Sequence, residues 1–148
     1  MRKVFTMIAG LALMGTALVA GAENATRVSG YTIHHNAMTT DTLSPKVAKA
    51  YNIQRSTARG MLNVSVIKDK PGTTGTSVKA KVSAMASNVL TGHARLIDMR
   101  EVTEGSATYY IGDFGVGDRE TLNFELQVTP EGRSTPFTAK LSQQFFTN

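Results

Sequence analysis

Between Thr121 and Pro130, four apolar side chains (Leu122, Phe124, Leu126, Val128) alternate strictly with Asn123, Glu125, Gln127 and Thr129. A period of two places one set on one face of an extended strand and the other set on the opposite face. The pattern therefore specifies an antiparallel strand with one face buried and one face wet. It recurs along the chain. Phe137, Ala139, Leu141 and Phe145 are opposed by Thr138, Lys140 and Ser142, and Pro130–Pro136 between the two runs carries the turn chemistry of a hairpin. Leu62, Val64 and Val66 oppose Asn63 and Ser65; Val78, Ala80, Val82 and Ala84 oppose Lys79, Lys81 and Ser83; Lys68–Gly75 reads as the loop between them. Ala94–Val102 is strand-like but less regular, and Ala107–Phe114 follows after the turn Glu104-Gly105-Ser106. A first strand is expected over Val28–Met38, with Tyr31, Ile33 and His35 on one side.

One short segment breaks the rhythm. Ser44-Pro45 forms an N-cap and first-turn pair, and Val47, Ala48 and Tyr51 follow at helical spacing, which predicts a helix of about two turns. About seven strands, one short helix after the first strand, and turns every ~8–15 residues predict an all-β, immunoglobulin-like antiparallel sandwich. A closed barrel would ask for longer strands and one more of them.

The N-terminus reads differently. Arg2 and Lys3 precede an uncharged run from Val4 to Val19, which ends in Ala20-Gly21-Ala22 before polar sequence begins at Glu23. This is the order of a secretory signal peptide cleaved after Ala22. The apolar run is shorter than the ~20 residues that span a bilayer core, so residues 1–22 are expected to leave and residues 23–148 to form a single domain in the periplasm of a Gram-negative-type bacterium. No membrane span is expected after cleavage. There is no cysteine, so neither disulfides nor a lipidated cysteine enter.

Charge excludes one class of partner. Without Arg2 and Lys3 the 16 basic residues fall to 14 against 11 acidic, a net +3, and the charges are interspersed. Nucleic-acid binding asks for a concentrated basic stripe, so no nucleic-acid partner is expected.

Several segments taken together resemble a known family: Val47–Ile53, Leu62–Val66, Tyr109-Tyr110-Ile111, Glu120–Phe124 with Val128-Thr129-Pro130, and Gln144–Thr147. Their set is similar to a family of small periplasmic proteins of Gram-negative bacteria catalogued as a domain of unknown function. The resemblance runs from about Tyr31 to Asn148 and implies an exported β-sandwich. It implies no activity and carries no catalytic residue.

The candidates for chemistry are few. His34 and His35 are adjacent, so on a strand they point to opposite faces and do not share one metal; either would need His93 or a carboxylate such as Asp41 brought to it by folding. Asp113–Asp118 has carboxylates beside glycines but lacks the calcium-loop pattern, and reads as a turn. Asp98, Glu101 and Glu104 surround Arg100, yet Asp98 and Glu101 alternate in facing, which suits surface ion pairing better than a glycosidase pair. No nucleophile elbow or phosphate loop is present. Of the paired aromatics, one of each pair faces the core; an outward Tyr110 and Phe146 are the expected interaction patch. The sequence thus points away from an enzyme and requires no cofactor. It points to a non-catalytic binding or interaction module for an envelope or periplasmic protein, or alternatively to a small-ligand or metal carrier using the histidines or the space between the sheets. The first needs an exposed apolar patch or open sheet edge; the second needs a deep pocket or converging imidazoles.

Overall fold

The computed structural model describes residues 24–148, so the expected export leader lies outside the described residues. Ten strands occur among them: β1 Ala25–Val28, β2 Tyr31–Thr39, β3 Arg59–Lys68, β4 Thr76–Ser77, β5 Ala80–Asn88, β6 Ala94–Ile97, β7 Arg100–Glu104, β8 Ala107–Gly115, β9 Thr121–Pro130 and β10 Phe137–Gln144. They form two antiparallel sheets packed as a sandwich. The first has the order β1-β2-β3-β8-β7, with β4 paired to β3, and the second has the order β10-β9-β5-β6.

The two-residue period explains the packing. Leu122, Phe124, Leu126 and Val128 of β9 are buried, as are Phe137, Ala139 and Leu141 of β10, and they meet Ile33, Leu62, Val64 and Val66 of the first sheet. At one end of this core the rings of Phe114, Phe124 and Phe145 lie 5.4, 5.7 and 6.4 Å apart between centroids, in tilted and edge-on arrangements that suit ring quadrupoles. Gly60 is required there: a Cβ at that position would run into the Phe114 ring.

The structure departs from the expected seven strands at three places. The expected strand Val28–Met38 holds only from Tyr31: Val28 ends a preceding strand, β1, and Ser29 and Gly30 turn between the two with φ of 48° and 80°, the two positive values that a tight hairpin demands. Thr76–Ser77 adds a short strand directly after the expected 68–75 loop, paired to β3. The irregular run Ala94–Val102 is two strands in different sheets, β6 against β5 and β7 against β8. The chain crosses between sheets at Asp98–Met99, and it passes so near β8 that a Cβ on Gly112 would come within 2.7 Å of the Asp98 carbonyl oxygen. A change of sheet ends the face alternation, which is why the run looked irregular.

The helix forms where expected, over Pro45–Ala50, with Ser44 Oγ accepting the Val47 N–H at 3.2 Å. It belongs to a strap, residues 40–58, over the outer face of the first sheet. Buried Thr40 anchors the strap, donating to the Gln54 carbonyl at 2.7 Å and accepting from the Ser56 N–H at 2.9 Å. Beneath it a second, small core holds Ile53, Met61 and Ile111, edged by Met38, Leu43, Tyr51, Val102 and Tyr109. No helix among the described residues is long and apolar enough to cross a membrane.

Candidate functional site

The three histidines lie in three settings. His35 is on the core side of β2 and buried; its Nε2 lies 2.9 Å from Thr26 Oγ1 and its Nδ1 has no partner. Burial, opposed by a backbone hydrogen bond and helped by nearby His34, holds its imidazole below the ordinary histidine pKa. His34 faces the other way, onto a shallow polar recess shared with Arg27, Asp69 and Lys70. His93 is exposed in the β5–β6 turn, where its carbonyl accepts the Asn88 N–H at 2.9 Å. Folding does not bring the three together, and the described residues contain no group of three His, Asp or Glu side chains placed to hold a metal.

The acidic candidates are each committed to structural partners. Asp113, on the outer face of β8, accepts from Arg59 at 2.5 Å and from Arg100 at 3.4 Å. Burial alone would raise its pKa; the Arg59 hydrogen bond and charge, backed by Arg100, reverse this and hold the carboxyl below its usual range. Arg100 also donates to the Tyr51 carbonyl at 2.6 Å, so it ties the strap to the sheet instead of pairing with the acidic trio around it. Glu101 pairs with Lys79 at 3.5 Å and Glu104 accepts from the Tyr51 hydroxyl, while Asp98 is exposed. Asp118 accepts from the Thr147 N–H at 3.0 Å, so the Asp113–Asp118 carboxylates point to different tasks. Glu120 accepts from the Gly117 N–H at 2.8 Å and from Asn88 at 3.1 Å; against the upward push of burial, these bonds keep its pKa low.

The aromatic pairs divide as alternation requires, but one assignment is reversed. Tyr110 is buried, its hydroxyl accepting the Ala80 N–H at 2.8 Å, and burial raises its phenol pKa. It therefore cannot serve as an outward patch residue; Tyr109 takes the outer face, under the strap. The reason is that β8 presents Thr108, Tyr110, Gly112 and Phe114 to the core, a parity that the sequence around Tyr109-Tyr110 left open. Phe145 is buried and Phe146 is 57% exposed.

Phe146 has company that sequence reasoning missed. Leu90 is 93% exposed, Leu96 75%, Val89 50% and Met85 45%. Met85 and Leu96 are register partners on the outer face of β5 and β6. Beyond them, Val89 and Leu90 begin the turn. The Val89 N–H donates to the Thr121 carbonyl at 3.1 Å, and the Phe145 N–H donates to the Glu120 carbonyl at 2.8 Å. The backbones of Val89 and Phe145 are thus fastened on either side of the start of β9, about two strand spacings (roughly 10 Å) apart, and the exposed Phe146 follows Phe145. β6 is an edge strand, paired to β5 on one side only. Its inward residue Arg95 is already satisfied by the Gly115 carbonyl at 2.5 Å and lies over the Phe114 ring. A signal was present: Val89-Leu90 places two large apolar residues in a turn that otherwise reads polar.

The described residues form a small antiparallel β-sandwich of two sheets that exposes large apolar side chains on and near its β5–β6 hairpin. Residues 25–148 match the model of DUF4426, a domain of unknown function, and the chain belongs to that family. A crystal structure of a DUF4426 family protein from Pseudomonas aeruginosa is 30% identical, with a TM-score of 0.70 over 84% of this chain and 94% of that one. More distant structures share the fold: FetP of uropathogenic Escherichia coli, expressed in the periplasm, at 8% identity and TM-score 0.60 over 84% of this chain and 93% of that one, and copper-reconstituted P19 from Campylobacter jejuni at 8% and 0.55 over 82% and 92%. At such identities the likeness concerns the fold alone. No curated protein is similar enough in sequence to match.

Proposed function

We propose that this chain is a non-catalytic interaction module of the periplasm, which docks a protein partner through the apolar end of its second sheet. The observation that carries the reading is the clustering of exposed apolar side chains. Among the described residues the large exposed ones are Val47, Met85, Val89, Leu90, Leu96 and Phe146; four of them lie on the β5–β6 hairpin, and Phe146 follows β10 on the far side of β9. Scattered singly, such residues need no explanation; gathered together they match the anatomy of a docking surface. The partner is a protein with its own exposed apolar side chains, met in the same compartment. The leader-like order of residues 1–22 and the likeness in fold to periplasmically expressed FetP support that compartment.

The test is crosslinking and capture in the periplasm with a chain tagged at its C-terminus. The reading expects one envelope or periplasmic protein to be captured by the native chain and lost with Leu90→Lys/Leu96→Lys. Capture indifferent to that substitution, or no capture, would overturn it. Recovery of a mature N-terminus at Glu23 tests the compartment separately.

A metal carrier is the alternative reading, with which the copper-bound structures of the same fold are compatible. Less favourably for it, His34 and His35 face opposite ways, His93 is exposed in a turn of the other sheet, and the described residues hold no group of three His, Asp or Glu side chains placed for a metal.

A further inference from the structure

Under the strap, on the outer face of the first sheet, lies a cavity of about 210 Å³ lined by Tyr51, Met61, Asn63, Glu104, Tyr109 and Ile111. Its floor is apolar: Met61 and Ile111 are buried and belong to the small second core. Two tyrosine rings form walls. Across the mouth the Tyr51 hydroxyl donates to Glu104, and Arg100 holds the Tyr51 carbonyl at 2.6 Å, so the entrance is made of side-chain contacts that can part without unpairing a strand. One polar atom in this setting is unaccounted for. Asn63 Oδ1 is buried and has no hydrogen-bond donor. A buried acceptor without a donor is destabilising, and native proteins rarely keep one without a use for it.

We propose that this cavity binds a small, flat, mostly apolar molecule carrying one hydroxyl or N–H group, which donates to Asn63 Oδ1 while its ring packs on Met61, Tyr109 and Ile111. The size suits a single aromatic ring with a substituent, since an apolar cavity of ~150 Å³ accepts benzene. The lining suits it too, because ring–ring and sulfur–ring contacts favour an aromatic guest over an aliphatic one. The site faces away from the β5–β6 surface, on the other sheet, so it stands or falls independently of the docking reading.

Phenol and toluene are probes of nearly equal shape, of which only phenol has a donor. Titrated into the full mature chain and followed by NMR, phenol should bind saturably and shift the Asn63 side-chain amide and the Met61 methyl. Toluene should bind at least about tenfold more weakly, because it leaves the acceptor unpaired. Asn63→Leu should abolish or reverse that preference, and Met61→Phe, which fills the cavity, should weaken both probes. If phenol and toluene bind the native chain equally, or phenol does not saturate because an ordered water already satisfies Asn63, the proposal is wrong. Should Asn63→Leu fail to fold, the native phenol-to-toluene ratio and Met61→Phe decide the matter.

Discussion

Replacing Leu90 and Leu96 together by lysine separates what the patch does for the fold from what it does for a partner. Full burial of a leucine side chain is worth about 1.5–3 kcal/mol. Leu90 is 93% exposed and Leu96 75%, so only a small part of that value is used within the fold. The double substitution should therefore cost at most about 1 kcal/mol, a fall in Tm of no more than ~5 °C for a domain of this size. A partner that covers half of the exposed leucine surface gains about 1–2.5 kcal/mol from it, so its affinity should fall roughly fivefold to seventyfold. Leu126→Ala supplies the contrast. Leu126 is fully buried, and its truncation should cost about 2–5 kcal/mol without touching the patch. Thermal denaturation and quantitative capture read the two quantities on the same samples. A large loss of stability in the double lysine variant would mean that these leucines pack in the core. Unchanged capture with unchanged stability would refute the docking argument.

Other substitutions probe the architecture. Gly112→Ala should destabilise the domain by about 1–3 kcal/mol in chemical denaturation, because its Cβ has the Asp98 carbonyl oxygen 2.7 Å away and backbone must move. Asp113→Asn should cost about 1–2 kcal/mol at neutral pH, discounted for a side chain 22% exposed. Because the folded-state pKa of Asp113 is depressed, its contribution is present above the ordinary aspartate pKa and disappears as pH falls through the folded value; native and variant stabilities should converge in acid. His35 behaves oppositely to a salt-bridged histidine. Its folded pKa lies below the ordinary value of 6.5, so the unfolded chain binds the proton first, and stability should fall as pH drops below about 6.5. His35→Leu should flatten that part of the stability profile, and an unaltered slope would show that His35 is not buried as neutral imidazole.

Much of the sandwich could be read from alternation, because burial on one face of a strand forces period two. Leu122–Val128, Phe137–Leu141 and Leu62–Val66 all obey it, and the Ser44-Pro45 cap marked its helix directly. The errors fell where a local feature overrides periodicity. Ser29-Gly30 is a turn too short to interrupt an apolar pattern, and Asp98–Met99 is a change of sheet that no local rule announces. The candidate site was less legible. Adjacent aromatic residues fix only that one of each pair faces inward: Tyr109-Tyr110 and Phe145-Phe146 look alike in sequence, yet Phe146 is the exposed member of its pair and Tyr110 is the buried member of the other. Leu90 and Leu96 gain meaning only when pairing brings the hairpin beside the C-terminal segment, through hydrogen bonds from Val89 and Phe145 to residues 121 and 120. Likewise Asn63 is an ordinary outward strand residue until the strap covers it.

The docking claim is tested most directly by photo-crosslinking in the periplasm from single positions of the second sheet. With a photoreactive side chain at Leu96 or Phe146, one discrete adduct should form with the same protein from both positions, and none should form from Ser83, which lies on the polar part of the same outer face. Adducts of equal yield from all three positions, or none from Leu96 and Phe146, would contradict the account.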